Sequence, residues 1–300
     1  MFRFKQFTIR QERSPMKVGT DGVLLGAWVR VSSSVGRILD IGTGTGVIAL
    51  MLAQRTQERS GVRITALDIG EVAEARANAD ASPWGARVET VQCPVQRFEP
   101  AERYDLIVSN PPFFVDSLAS PDAGRSRARH ASELPFDELH DAVVRLLAPG
   151  GRFALVLPPP EAGLFLAECR SLRMVRCTEV RSTPRRGVRR VLMEFAHGCG
   201  GGTIDEREGP ERTSGEASER SVQHRTAHGF GFSYAAVCGR DGAVRGTGGG
   251  AACRGEEGSA FGAGGSAADC ERDELTIGTG AHEEYTEEYR ALTSDFYLKF

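Results

Sequence analysis

The first 197 residues alternate short apolar runs with stretches of helical spacing, and this alternation limits the folds open to the chain. Apolar runs bounded by turn residues are typical of strands, and they occupy 37–41, 63–68, 86–91, 104–110, 151–158, 174–180 and 189–196. Apolar residues three and four apart indicate amphipathic helices at 46–57, 71–81, 135–148 and 160–172. Strands that alternate with helices form a mainly parallel sheet covered on both faces. The sequence therefore predicts a doubly wound α/β domain.

A glycine-rich segment at 198–272 separates this domain from the end of the chain. It holds 19 of the 36 glycines and no lysine, and it lacks hydrophobic periodicity. Such a composition buries too little apolar surface to offset the entropy lost on ordering. We predict a disordered insert, with a shifted and restored reading frame as the alternative. The predicted organisation is an α/β domain at 1–197 with an N-terminal extension at 1–35, the insert, and a tail at 273–300 that packs back on the core.

The charge of the chain is unevenly distributed. Residues 1–197 hold 27 Lys and Arg against 22 Asp and Glu, a net charge of +5, although the whole chain carries −3. The insert carries −3 and the tail −5. A mildly basic domain permits an anionic partner such as RNA without requiring one.

Several protein classes are disfavoured by composition. The seven cysteines are odd in number and form no CxxC pair, which argues against a disulfide framework and a zinc ribbon. No apolar run reaches the roughly 20 residues of a membrane helix, and the N-terminus lacks the features of a secretory signal. We expect a cytoplasmic protein without a membrane segment or a metal, and nothing in the sequence calls for more than a monomer.

The motif DIGTGTG, Asp40–Gly46, joins the first long strand to the following helix. Its glycines allow a tight turn and a close ligand approach, and the helix end offers free N–H groups. The next strand ends in Asp68, whose carboxylate can accept hydrogen bonds from both hydroxyls of a ribose. An acidic Asp40 before the glycines would repel a pyrophosphate but suits the cationic amino-acid end of S-adenosylmethionine. The motif therefore favours a methyl donor over a dinucleotide.

A second motif, NPPFF at 110–114, follows the fourth strand, at the edge where ligands bind in open α/β sheets. It could be only a proline-stiffened loop with two core aromatics. As an acceptor site, the Asn110 side-chain oxygen and the Pro111 carbonyl can accept hydrogen bonds from an aromatic NH2 group and direct its lone pair at the methyl. Pro112 stiffens the loop, and Phe113 can stack on a flipped base. This chemistry requires neither a metal nor a strong general base.

Taken together, these motifs and several longer blocks resemble one bacterial family. The blocks are FKQFTIRQERSPMKVGTDGVLLGAW at 4–28, SPW at 82–84, VSNPPFF at 108–114, RARHA at 127–131 and ALTSDFYLKF at 291–300. They are similar to the tRNA1(Val) (adenine-37-N6)-methyltransferases of the class I S-adenosylmethionine-dependent superfamily. The resemblance covers 1–197 and 274–300. It implies a Rossmann-like class I methyltransferase fold, S-adenosylmethionine as cofactor, and N6-methylation of the tRNA adenosine next to the anticodon.

The resemblance also implies roles for individual residues. The donor would be bound by Asp40, Gly42, Thr43, Gly44, Gly46 and Asp68. Thr20 and Asp21 would flank the methionine end of the donor, although either could instead cap a helix. The target adenine would contact Asn110, Pro111, Pro112 and Phe113.

Arginine-rich stretches are candidates for tRNA binding, because the planar guanidinium can bond two phosphate oxygens at once. We single out Arg129 with His130, and Arg185 with Arg186 in a Thr-Pro-Arg-Arg-Gly turn. Each could instead be ordinary solvated surface charge.

Other functions remain open on the sequence alone. NPPF-type loops also serve rRNA guanine-N2 methyltransferases, and related loops serve enzymes that methylate a protein glutamine. A DNA adenine methyltransferase lacks an obvious target-recognition domain here. A non-catalytic RNA- or nucleotide-binding module could use the same fold, because function depends on the site rather than the fold.

Overall fold

The computed structural model describes residues 1–112, 134–198, 270–282 and 284–298. A short N-terminal hairpin consists of β1 (Phe2–Arg3) and β2 (Thr8–Ile9). The central sheet consists of β3 (Arg37–Ile41), β4 (Arg63–Asp68), β5 (Val88–Gln92), β6 (Tyr104–Ser109), β7 (Leu147–Leu157), β8 (Leu172–Arg181), β9 (Val188–His197) and β10 (Glu271–Thr276). The helices are α1 (Thr20–Trp28), α2 (Val47–Arg55), α3 (Ala73–Asp80), α4 (Phe136–Leu146), α5 (Pro159–Glu168) and α6 (Glu287–Thr293).

The sheet has the strand order β10-β8-β9-β7-β6-β3-β4-β5. Its pairs are parallel except where β9 runs antiparallel to β7 and β8. The chain moves outward from β3 to β5 and then returns to place β6 on the other side of β3. Ligands of open α/β sheets bind at such a reversal, beyond the carboxyl ends of the strands. The predicted doubly wound fold is confirmed.

Both faces of the sheet are covered, because side chains alternate between them along each strand. On one face, Ile38, Leu106 and Ala154 pack in a core with α1, α2 and α6. On the other, Leu39, Ile107 and Phe153 pack with α4 and α5. Consecutive strand residues thus serve opposite cores, which is why β3, the Leu106–Val108 part of β6 and the Phe153–Leu157 part of β7 are mainly apolar.

Most predicted elements differ from the structure by one to four residues at an end. Helix α5 ends at Glu168, before the predicted end at 172, because strand β8 already begins at Leu172. Strand β10 begins at Glu271, two residues before the predicted start of the tail, and pairs in parallel with β8. Most of the predicted insert lies outside the described residues, so the division of the chain into domain, insert and tail stays a prediction.

Among the described residues, no helix is long and apolar enough to cross a bilayer. The same residues contain no group of three His, Cys, Asp or Glu side chains placed to hold a metal ion.

Candidate active site

The glycine loop between β3 and α2 is held against the end of β4. The backbone N–H groups of Gly42 and Thr43 donate to the Leu67 carbonyl at 2.9 and 3.0 Å. Gly44 has a φ of +53°, and a Cβ built there would meet nothing within 4 Å. The loop therefore leaves open space at the carboxyl edge of the sheet, where a ligand could lie against the backbone.

Asp40 lies fully buried beneath this loop. Its Oδ2 accepts hydrogen bonds from the Thr43 hydroxyl at 2.7 Å and from the Ala49 N–H, in the first turn of α2, at 3.2 Å. Its Oδ1 is also buried and has no hydrogen-bond partner in the described part of the chain. Burial raises the pKa of this carboxyl to about 7. One oxygen thus shapes the loop, and the other is free to accept from a cationic ligand.

Asp68 connects the end of β4 to both neighbouring turns. Its Oδ2 accepts from the Gly44 N–H and its Oδ1 from the Gly70 N–H, both at 2.8 Å. An ionised carboxylate offers about four lone-pair positions, so each oxygen can still accept a hydroxyl. The residue is half-buried, which leaves it accessible at the sheet edge.

Asn110 directly follows β6, on the other side of β3 from Asp68. Its side-chain Oδ1 is buried and has no hydrogen-bond partner among the described residues. The preceding Ser109 donates its hydroxyl to the Ile41 carbonyl at 2.9 Å and so fixes the end of β6 to the end of β3. Pro111 is buried and Pro112 half-buried. The predicted residues Phe113, Arg129 and His130 lie outside the described residues.

The start of α1 differs from one expectation. The helix N-cap is Gly19, with no side-chain cap, so the alternative of Thr20 or Asp21 as a capping residue was wrong. Thr20 is the first, exposed residue of α1. The Asp21 Oδ2 accepts from Arg190 Nε of β9 at 2.7 Å. This ion pair was missed in the sequence, because nothing in it links positions 21 and 190.

Arg185 and Arg186 lie in the exposed turn between β8 and β9. Because β8 runs in the same direction as β6, this turn lies at the same edge of the sheet as Asn110. The structure therefore brings the glycine loop, Asp68, Asn110 and the arginine turn to one edge.

Comparison with known proteins gives this edge a context. The family model for the methyltransferase small domain matches residues 23–157. A tRNA1(Val) (adenine(37)-N6)-methyltransferase from Flavobacterium johnsoniae is 43% identical over 202 residues, which span 65% of this chain and 85% of the relative. The chain belongs to the tRNA1(Val) (adenine(37)-N6)-methyltransferase family. This membership confirms the predicted resemblance and the predicted enzyme class.

Other members of the tRNA1(Val) (adenine(37)-N6)-methyltransferase family show similar agreement. The protein of Trichodesmium erythraeum is 45% identical over 200 residues, covering 65% of this chain and 83% of the relative. That of Tolumonas auensis is 48% identical over 166 residues, covering 55% and 69%. Among solved structures, a predicted O-methyltransferase from Agrobacterium tumefaciens superposes with a TM-score of 0.55 at 14% identity, covering 92% of this chain and 96% of that one. That likeness confirms the fold alone.

Helix α3 holds two further residues of this family member that the sequence did not single out. Glu74 and Asn78 are one helical turn apart and bind the N-terminal extension. A polar residue in an amphipathic helix is usually assigned to its solvent face, and only the folded structure shows the extension lying over it. The roles of individual site residues remain predictions.

Proposed function

We propose that this chain transfers a methyl group from S-adenosylmethionine to N6 of adenine 37 in tRNA1(Val). Relatives that are 43–48% identical to it are named tRNA1(Val) (adenine(37)-N6)-methyltransferases. The structural observation that carries the proposal is the buried Oδ1 of Asn110 at the carboxyl end of β6, which has no hydrogen-bond partner in the part of the chain that the structure describes. A buried acceptor without a partner costs free energy, so it favours a ligand that donates a hydrogen bond to it.

The residues at the sheet edge fit the methyl donor. The space at Gly44 admits a ligand against the loop, and the free Oδ1 of Asp40 can accept from an ammonium group. Asp68 retains lone pairs for the hydroxyls of a ribose. When bound, S-adenosylmethionine supplies a sulfonium methyl that is already activated for attack by an amine.

Asn110 can make the target amine, which accepts the methyl group, a better nucleophile. The lone pair of an aromatic amine is delocalised into the ring, so the nitrogen is a poor nucleophile. By accepting one N–H, the Asn110 oxygen favours a tetrahedral nitrogen and orients its lone pair, while Pro111 and Pro112 limit the freedom of the loop. Positioning of this kind contributes by proximity and orientation, and the proton released from N6 can pass to water.

The arginine turn, Arg185 and Arg186, offers positive charge to the phosphates of the tRNA. Arg185 and Arg186 are exposed at the same edge as Asn110, where phosphates on either side of an extruded base would lie. The proposal therefore includes tRNA as partner and the cytoplasm as the place of reaction. Arg129, His130 and Phe113 stay candidates for RNA binding on sequence grounds.

The test compares two matched transcripts of tRNA1(Val), one unaltered and one with adenosine 37 replaced by guanosine. Each is incubated with the protein and labelled S-adenosylmethionine, and the nucleosides are analysed after digestion. We expect N6-methyladenosine from the first transcript and none from the second. Equal product from both would move the reaction to another adenine. Donor binding with no methylated tRNA would overturn the proposal in favour of rRNA, protein glutamine, or a binding module without transfer.

A further inference from the structure

Asn78 is a buried polar side chain with its hydrogen-bonding groups engaged. It lies on α3 with 1% of its surface exposed. Its Nδ2 donates to the Arg10 carbonyl at 2.8 Å and to the Thr45 carbonyl at 2.9 Å, and its Oδ1 accepts from the Arg10 N–H at 2.8 Å. One side chain therefore joins the N-terminal extension to the glycine loop.

The extension is fastened to the same helix a second time, but without contact to the loop. The Glu74 carboxylate accepts from the N–H groups of Arg13 and Ser14 at 3.1 and 2.7 Å, and from the Ser14 hydroxyl. Beyond this point, Lys17 Nζ donates to the Ser14 carbonyl at 3.1 Å and so closes the extension on itself. Glu74 thus holds the extension alone, whereas Asn78 holds both the extension and the loop.

Thr45 lies in the glycine loop, between Gly44 and Gly46. The preceding Gly44 donates to Asp68, and the following Gly46 has a φ of +82° and approaches Ala75 of α3 so closely that an added Cβ would lie 3.5 Å from it. Thr45 itself is 4% exposed, so its carbonyl would lose a buried hydrogen bond if Asn78 were removed. Glycines on both sides give the loop little intrinsic rigidity, and external contacts must set its shape.

We propose that Asn78 is a positioning residue for donor binding, which fixes the glycine loop by tying the Thr45 carbonyl to the backbone of Arg10 in the extension. The inference rests on the proposed function, because it assumes that the loop holds the donor. It makes the N-terminal extension a working part of the donor site, although Asn78 itself need not touch the donor.

The decisive variant is Asn78→Asp, which keeps the size of the side chain and its acceptor for the Arg10 N–H but turns an oxygen toward the two carbonyls. Titration calorimetry with S-adenosylhomocysteine measures donor-site affinity, and steady-state kinetics separate the donor KM from kcat and from the tRNA KM. We expect the dissociation constant and the donor KM to rise at least about ten-fold, as the loss of a buried hydrogen bond implies. The tRNA KM should change less than about two-fold, because the arginine turn is untouched.

Glu74→Ala is the matched control. It loosens the extension at Ser14 and leaves the bond between Asn78 and Thr45 in place, so we expect less than about a three-fold change in S-adenosylhomocysteine affinity. If Asn78→Asp does not fold, Asn78→Ser keeps one hydroxyl donor for one of the two carbonyls and is measured in the same way.

Three results would overturn the inference. One is S-adenosylhomocysteine affinity within about two-fold of the wild type in Asn78→Asp, and another is an equal loss in Glu74→Ala. The third is a parallel loss of donor and tRNA affinity with a lowered melting temperature, which would show a general structural role. Failure of the wild-type protein itself to bind S-adenosylhomocysteine would instead overturn the proposed function, and this inference with it.

Discussion

The two halves of the central sheet differ in how their polar side chains are paired. In the donor half, formed by β3, β4 and β6, Asp40 and Asp68 accept from backbone N–H groups and from the Thr43 hydroxyl, and Asp40 Oδ1 and Asn110 Oδ1 have no hydrogen-bond partner among the described residues. In the outer half, formed by β8, β9 and β10, acidic side chains form ion pairs with arginines. Arg30 bonds both oxygens of Glu271 at 2.7 and 2.6 Å, and Arg181 lies 3.6 Å from Glu274.

Arg176 shows how the outer half is assembled. Its guanidinium lies 4.2 Å from the centre of the Trp28 ring and donates to the Trp28 carbonyl at 3.2 Å. The same group lies 3.5 Å from Asp273 of β10. In the donor half, the buried Asp40 Oδ1 and Asn110 Oδ1 have no hydrogen-bond partner among the described residues. In the outer half, Glu194 Oε2 of β9 has none either, but the other oxygen of that carboxylate lies 3.7 Å from Arg152, and the remaining charges attach a strand. Unused acceptors cost stability and are explained by a ligand, while paired charges need no such explanation.

The largest effect on donor affinity is expected from Asp40→Asn, which separates ligand binding from stability. The variant lacks the charge that a cationic donor needs, so S-adenosylhomocysteine affinity should fall roughly 10- to 100-fold, as for the loss of a charge-assisted bond. The folded-state pKa of Asp40 is raised to about 7, so this group contributes stability that is fully present below its unfolded pKa of about 4 and is lost as the pH rises through 7. The variant avoids that decline and should be about 2 kcal/mol more stable than the wild type at pH 8.

Urea unfolding at pH 5 and pH 8, together with calorimetry, checks both parts. The stability difference between variant and wild type should be larger at pH 8 than at pH 5. A variant that is less stable than the wild type at pH 8 would show that the Asp40 carboxylate is a structural requirement of the loop.

The second prediction concerns the outer half, where a substitution should lower the free energy of unfolding and leave donor affinity unchanged. Arg176→Ala removes the Trp28 contacts and the ion pair with Asp273, which keeps its hydrogen bond from the Thr178 hydroxyl, so the free energy of unfolding should fall by about 2 kcal/mol. Donor affinity should be unchanged, because Arg176 lies on the outer strand β8. Arg30→Ala is the control, since its pair with Glu271 is exposed and exposed pairs contribute little. Equal losses from both variants in urea unfolding would contradict the distinction.

The third prediction tests whether the arginine turn serves RNA. Replacing Arg185 and Arg186 together by Ala should weaken tRNA binding and reduce the slope of log affinity against log salt by about 2, one for each lost phosphate contact. Arg173→Ala is the control, because Arg173 is exposed at the opposite edge of the sheet. An unchanged slope in a filter-binding series across salt concentrations would make the turn ordinary surface.

The smallest effect is expected from shortening the chain between β9 and β10. His197 lies at the edge of the sheet away from the active site, where it pairs with Leu172 at the start of β8, whereas Glu271 pairs with Arg176 in the middle of β8. Strand spacing and rise put them roughly 16 Å apart, which about ten residues can span. Replacing 199–269 by a Gly-Ser linker of that length should leave transfer rate and melting temperature unchanged. Loss of methyl transfer without loss of stability would assign that segment a function.

The difference between the two halves also explains which parts of the fold and of the site the sequence predicts. The strands of the donor half are apolar runs such as RILDI, with Asp40 and Asp68 near the strand ends and Asn110 directly after β6, so the fold was predictable and the site residues could be proposed. Strand β10 reads ERDELT and buries only Leu275 fully, so no hydrophobic pattern marks it as a strand. Strand β10 is held by ion pairs with Arg30, Arg176 and Arg181, which are distant from it in the sequence. The contacts of Asn78 and the ion pair between Asp21 and Arg190 were not predicted for the same reason, because the partners meet only in the folded protein.

The most direct test of the central account is a comparison of Asn110→Ala and Asn110→Asp with the wild type, by single-turnover transfer to tRNA1(Val) and by calorimetry with S-adenosylhomocysteine. Leu164→Ala, on the exposed side of α5, serves as the neutral control. If the buried oxygen exists to receive the target amine, Asn110→Ala should lose at least about 100-fold in transfer rate while donor affinity stays within about two-fold. Asn110→Asp should retain more activity, because a carboxylate can accept the same hydrogen bond. Transfer by Asn110→Ala at the wild-type rate would contradict the account.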